Sequence, residues 1–372
     1  MSEGTIRHVT MVKPGTERDA GGEDGHAWIS AGFIDLQVNG FAGNDVNTER
    51  PNAEVLDRMI RALWPTGVAL ALPTVVTGSY ERLERAMRAV SAAKASTSAG
   101  ASILGVHLEG PYISPDDGPR GAHPLEHVRA PDWEEFCRLQ EAAEGMIRLV
   151  TLAPELPGAI RFIEKAVASG VVVALGHTAA GQTDIAAAID AGASLSTHLG
   201  NGAHAMLRRH PNYIWEQLAA DELYASVIPD GFHLPSSVLK TIIRAKGTDR
   251  TILVSDAVGV AGLRPGVYNV LGATVELTKH GKVILSGTEF LAGSALRLDG
   301  GVGKVFFEVG TSLADALKMV TTNPATLLRV DDRFGAVRTG MDASLTRFRL
   351  DGVHGIRVEE TMVAGETVFA RA

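Results

Sequence analysis

Four short stretches of the 372-residue chain end in side chains able to do chemistry together: His107-Leu108-Glu109-Gly110-Pro111, Gly176-His177-Thr178, Thr197-His198-Leu199 and Ser255-Asp256-Ala257. One carboxylate and two imidazoles, Glu109, His177 and His198, make a three-ligand set for a catalytic divalent ion whose fourth position stays open to water. Such an ion lowers the pKa of that water toward ~7. Hydrolysis then needs a group that accepts a proton and later returns it to a leaving amine, and Asp256 is the candidate. A lone histidine is usually a satisfied core residue, but two at successive strand ends point to ligation. A glutamate between an apolar run and Gly-Pro is costly to bury without a partner. His107 has the same strand parity as Glu109, yet with a carboxylate ligand already there it is assigned a structural role.

These residues converge only if the elements carrying them share one face. Apolar, β-branched runs occur at 32–38, 68–74, 103–108, 147–152, 171–175, 194–197, 224–228 and 251–255. Several are apolar on nearly every residue, as strands buried on both faces require. Helix-period segments lie between them at 53–63, 80–94, 132–142, 158–168, 183–191, 213–220 and 236–246. Eight strand–helix units predict a (β/α)8 barrel of the α/β class, whose strand C-termini form the active-site face. The rival, a doubly wound open sheet, lacks its dinucleotide fingerprint after the first strand.

The barrel is expected over 31–334. Residues 1–30, with β-like pieces at 6–12 and 27–30, and residues 335–372, with strand-like runs at 344–350 and 361–370, should form a small β domain from both termini. A β insertion is expected near 267–286, with a turn at His280-Gly281. Helical segments follow at 296–309 and 313–321, and Asn323-Pro324 starts another. A net charge of −8 without a Lys/Arg block argues against nucleic acid, and no apolar run reaches the ~20 residues that span a bilayer. Residues 1–25 read as polar and Gly-rich rather than as a leader, and Cys137, the single cysteine, permits no internal disulfide. A cytoplasmic setting is the expectation.

The chain resembles the N-acetylglucosamine-6-phosphate deacetylase family of the amidohydrolase superfamily. The likeness runs from about residue 32 onward. It rests on the order of Gly32-Phe33-Ile34-Asp35-Leu36-Gln37-Val38-Asn39-Gly40, the four stretches above, Thr151-Leu152-Ala153-Pro154-Glu155, Asp230-Gly231-Phe232-His233 and Gly293-Ser294. Many amidohydrolases carry His-x-His at the first strand end for a second metal. Gln37 and Asn39 stand there, which the resemblance links to a single-metal branch. It implies one ion on Glu109, His177 and His198, zinc first, with iron(II) or another divalent ion open. In Gly121-Ala122-His123-Pro124, His123 matches a histidine that polarises the acetyl carbonyl, with Ala122 beside it at the substrate. His233 matches a sugar contact, and Asn201 and Gly202 match a pair near the substrate phosphate. Arg209 matches an arginine that binds phosphate from a neighbouring subunit, which implies a homodimer. Leu291, Ala292 and Gly293 match a substrate-contacting segment.

The implied reaction is removal of acetyl from N-acetylglucosamine 6-phosphate. The pattern departs from the family at Gly200, where a bulky aromatic is usual, and at His204, where proline is usual, so the sugar-phosphate pocket is expected to differ in shape. Deacetylation of the galactosamine epimer or of an unphosphorylated sugar, and hydrolysis of another amide, remain open. So does a silent binding scaffold, against which the intact quartet argues. Glu155, ending the fourth strand, is assigned a structural hydrogen-bonding role.

Overall fold

The computed structural model describes residues 4–9, 27–270, 273–351 and 355–372. Its centre is an eight-stranded parallel sheet: β1 (Phe33–Val38), β2 (Val68–Val76), β3 (Val106–Glu109), β4 (Ile147–Leu152), β5 (Val172–Leu175), β6 (Leu195–Ser196), β7 (Tyr224–Val227) and β8 (Thr251–Leu253). The strands pair in chain order. The ends of the sheet meet where Val38 bridges Ala257 in parallel and the Asp256 amide donates to the Gln37 carbonyl at 2.9 Å. The expected barrel is present.

Two apolar layers hold it. Ile34, Leu36, Leu70, Leu72, Leu149, Ala174, Ile252 and Val254 form an inner cluster with Ala325 and Leu328, which ties in the helix Thr322–Leu327. A larger cluster joins outward residues such as Phe33, Val75 and Val150 to the surrounding helices. The helix Ala53–Leu63 shows why the helices form. Asn52 caps it by accepting from the Val55 amide, and Leu56, Met59, Ile60 and Leu63 put one stripe into the core.

The expected 6–12 piece is described only to residue 9, and residues 10–12 lie outside the described residues. Ile6 exchanges backbone hydrogen bonds with Met341 and Gly340, and Thr5 bridges Asp342. A four-stranded antiparallel sheet joins Trp28–Ala31, Leu345–Asp351, Gly355–Val363 and Glu366–Ala370 in that order. The expected 361–370 run is thus two strands, broken at Gly365, whose φ is +84°. The insertion is a three-stranded meander, Gly266–Val270, Ala273–Leu277 and Val283–Leu285, with Gly281 in its second turn at φ +86°. The expected helix over 296–309 is α-helical at Leu298–Lys304 and continues as a π-helix over Val305–Val309. No helix among the described residues is long and apolar enough to cross a membrane.

Candidate active site

At three strand ends the backbone turns sharply. His177, His198 and Asp256 have φ of 51°, 29° and 47°, in the left-handed region that side chains avoid. Such residues cost about 1–3 kcal/mol each and persist where the surroundings over-determine them. The turns deliver the side chains to one point. Nε2 of His198 lies 3.0 Å from Oε1 of Glu109 and 3.0 Å from Nε2 of His177, which is 3.3 Å from the same oxygen. All three residues are buried.

The donor chemistry of this cluster fits a cation. His177 Nδ1 is 2.8 Å from the Pro119 carbonyl, so it must carry the proton. Nε2 then faces a carboxylate oxygen and a second imidazole nitrogen, a grouping of donor atoms that suits a bound divalent ion. The three residues are the group among the described residues whose ligand atoms lie within 4.8 Å of one another. Burial alone raises the Glu109 carboxyl, but the hydrogen bonds and charges of His177 and His198 outweigh it and hold it well below the usual range.

Asp256 stands beside the cluster. Its Oδ1 accepts from Asn39 Nδ2 at 2.8 Å and from Gln37 Nε2 at 3.1 Å, and Gln37 Nε2 also donates to Glu109 Oε1 at 2.8 Å. Burial first, and then the charge of Glu109, push its carboxyl up to about 6. His123 meets His177 edge-on, with ring centres 4.4 Å apart, and its Nδ1 is 2.8 Å from the Thr77 hydroxyl. Burial pushes its imidazole down to about 3, so it is neutral near pH 7. His233 is held by Asp230, 2.6 Å from Nδ1 to Oδ2, and lies within electrostatic reach of Asp256.

The remaining candidates fall into two groups. Asn201 donates to the His198 carbonyl at 3.1 Å, and a Cβ on Gly202 would lie 2.8 Å from His177 Nδ1, so both pack on the cluster. Leu291, Ala292 and Gly293 lead into Ser294, which bridges Ala257 and donates to the Asp256 carbonyl at 3.2 Å; this sets the segment against the end of β8. Ala122 sits exposed beside His123, and Arg209 is exposed on the 203–212 loop, so its role rests on the resemblance. His107 is buried against Thr151 (Nε2 to Oγ1, 2.8 Å), and Glu155 accepts from Thr178 Oγ1 and the Ala179 amide at 2.6 and 2.7 Å, both as structural groups. Sequence reasoning missed Thr77 and the Pro119 carbonyl, and it quoted Asp230 within the motif around His233 without giving it a role. The spacing of three between Asp230 and His233 was the signal for that role.

Comparison with known proteins agrees with this geometry. Residues 28–368 match the amidohydrolase family. The chain is 33% identical over 368 residues to the N-acetylgalactosamine-6-phosphate deacetylase of Escherichia coli O157:H7, covering 98% of this chain and 93% of the relative. It is 34% identical over 317 residues to the N-acetylglucosamine-6-phosphate deacetylase of Bacillus subtilis (strain 168), covering 84% and 78%. The crystal structure of the N-acetylglucosamine-6-phosphate deacetylase of Mycobacterium smegmatis superposes with a TM-score of 0.85 at 31% identity, covering 99% of this chain and 94% of that one. An Asp-to-Ala variant of it was solved in complex with N-acetyl-D-glucosamine-6-phosphate. Amidohydrolases use a divalent metal, for which Glu109, His177 and His198 provide a site. The chain belongs to the amidohydrolase family and, within it, to the N-acetylglucosamine-6-phosphate deacetylase family.

Proposed function

We propose that this chain hydrolyses the acetamide of N-acetylglucosamine 6-phosphate to acetate and glucosamine 6-phosphate. The observation that carries this reading is the buried Glu109–His177–His198 cluster with Asp256 beside it, in a chain that covers 84–98% of its own length against deacetylases of this kind. One divalent ion, zinc by first choice, would be held by those three residues and would supply a Lewis acid for the carbonyl and a water of lowered pKa. His123, neutral and hydrogen-bonded to Thr77, donates to the acetyl oxygen as negative charge develops there. Asp256 accepts a proton from the attacking water and delivers it to the amine nitrogen as the C–N bond breaks. His233 and the 291–293 segment contact the sugar. Asn201, Gly202 and Arg209 serve the phosphate, Arg209 from a second subunit of a cytoplasmic homodimer.

Acetate release from the zinc-loaded protein tests this, comparing N-acetylglucosamine 6-phosphate, its galactosamine epimer and unphosphorylated N-acetylglucosamine. A strong preference for the first is expected, and equal or absent turnover of all three overturns the substrate. Preference for the epimer would establish the second reading, which two relatives named N-acetylgalactosamine-6-phosphate deacetylase favour.

A further inference from the structure

We propose that Gln37 and Asn39 are positioning residues that saturate one oxygen of Asp256, leaving the other for proton transfer. The inference rests on the reading of Asp256 as the proton carrier. It starts from an irregularity in β1. Asp35 pairs with Ala71 but Val38 pairs with Pro73, three steps on β1 against two on β2. An extra residue of this kind reverses side-chain parity. Ile34 and Leu36 accordingly join the apolar inner cluster, while Gln37 and then Asn39 turn into the polar mouth.

There the two amides meet Asp256. Both terminal nitrogens donate to Oδ1, and no hydrogen bond among the described residues engages Oδ2. The amide orientation follows from chemistry, because a flipped side chain would set a carbonyl oxygen against a carboxylate oxygen. Gln37 spends its two N–H groups on two carboxylates, Glu109 and Asp256, whose charges repel. A neutral amide thereby holds the carboxylates together without neutralising either. The seam of the barrel fixes the donors in place. The Asp256 amide and the Ser255 hydroxyl both donate to the Gln37 carbonyl, at 2.9 and 3.2 Å, and the Asn39 amide donates to the Ala257 carbonyl at 2.8 Å. Carboxylate and clamp therefore move as one unit.

The test is a mutant cycle on the metal-loaded enzyme with N-acetylglucosamine 6-phosphate. The Asn39 side chain hydrogen-bonds Asp256 but none of the three metal-binding residues. Asn39→Ala should lower kcat about 10- to 100-fold, as loss of a hydrogen bond to a charged group does, with KM and metal content unchanged. Made in an Asp256→Asn background, the same change should cost less than about twofold, because its effect runs through that carboxylate. Gln37→Ala should lower kcat and also weaken metal retention, through Glu109. If Asn39→Ala does not fold, Asn39→Ser, whose hydroxyl is too short to reach Oδ1, replaces it. An Asp256→Asn enzyme with near-normal turnover removes the proton carrier and the clamp with it. An inactive Asp256→Asn enzyme beside a fully active Asn39→Ala one, or an equal Asn39 effect in both backgrounds, overturns the clamp alone.

Discussion

Gly202→Ala should loosen the metal site without touching a ligand. A Cβ at position 202 would stand 2.8 Å from His177 Nδ1 and 3.0 Å from its Cε1. Ordinary contact is about 3.5 Å, so the ring or the loop must give by roughly 0.7 Å. The ring has little freedom to do so. Its Nδ1 is hydrogen-bonded to the Pro119 carbonyl at 2.8 Å, and its Cα is already left-handed at φ 51°. The loop is no freer, because position 202 has φ 56° and a side chain there costs about 1–2 kcal/mol. Metal ligation tolerates displacements of only about 0.2 Å. The expected result is a 10- to 100-fold loss of metal affinity, comparable to losing an outer hydrogen bond of a ligand. Metal content after dialysis against graded chelator measures it, with circular dichroism to confirm folding. A folded Gly202→Ala protein that holds its metal as tightly as the parent would refute the reasoning.

Three further outcomes follow from the same geometry. Asp256→Asn keeps an acceptor for Gln37 and Asn39 but cannot take a proton, so metal content should persist while turnover falls about 10²- to 10⁴-fold; parallel metal and acetate assays check this. Burial pushes the Asp35 carboxyl up to about 7, with Oδ2 lacking a partner. A raised carboxyl favours the protonated folded state, so its contribution is complete below its unfolded value near 3.8 and is lost as pH rises through about 7. By linkage that is up to about 4 kcal/mol, and Asp35→Asn should flatten denaturation midpoints between pH 4 and 7; an unchanged slope would count against it. Phe136, buried among Trp133 and Phe162 with ring centres 5.4 and 5.3 Å away, should cost about 3–5 kcal/mol as alanine, read from urea unfolding.

Much of this protein was legible from local pattern. The apolar runs of β1, β2 and β4 are buried on nearly every residue, because a barrel wall is covered on both sides. Ala53–Leu63, capped by Asn52, and Ser236–Lys246, set between Pro235 and Gly247, each bury one apolar stripe, and their expected limits match the structure. Two strands came out shorter than expected: β6 is only Leu195–Ser196 and β8 only Thr251–Leu253, because the chain turns early to aim His198 and Asp256. Glu109, His177, His198 and Asp256 could be named from residue type at a strand end, since burying such groups demands a partner. Their partners could not. Thr77 is 46 residues from His123, Pro119 is 58 from His177, and Gln37 is 219 from Asp256. Those contacts have no periodicity to betray them. They exist because the barrel closes β1 on β8, and because one extra residue in β1 turns two amides inward, which only the paired backbones decide.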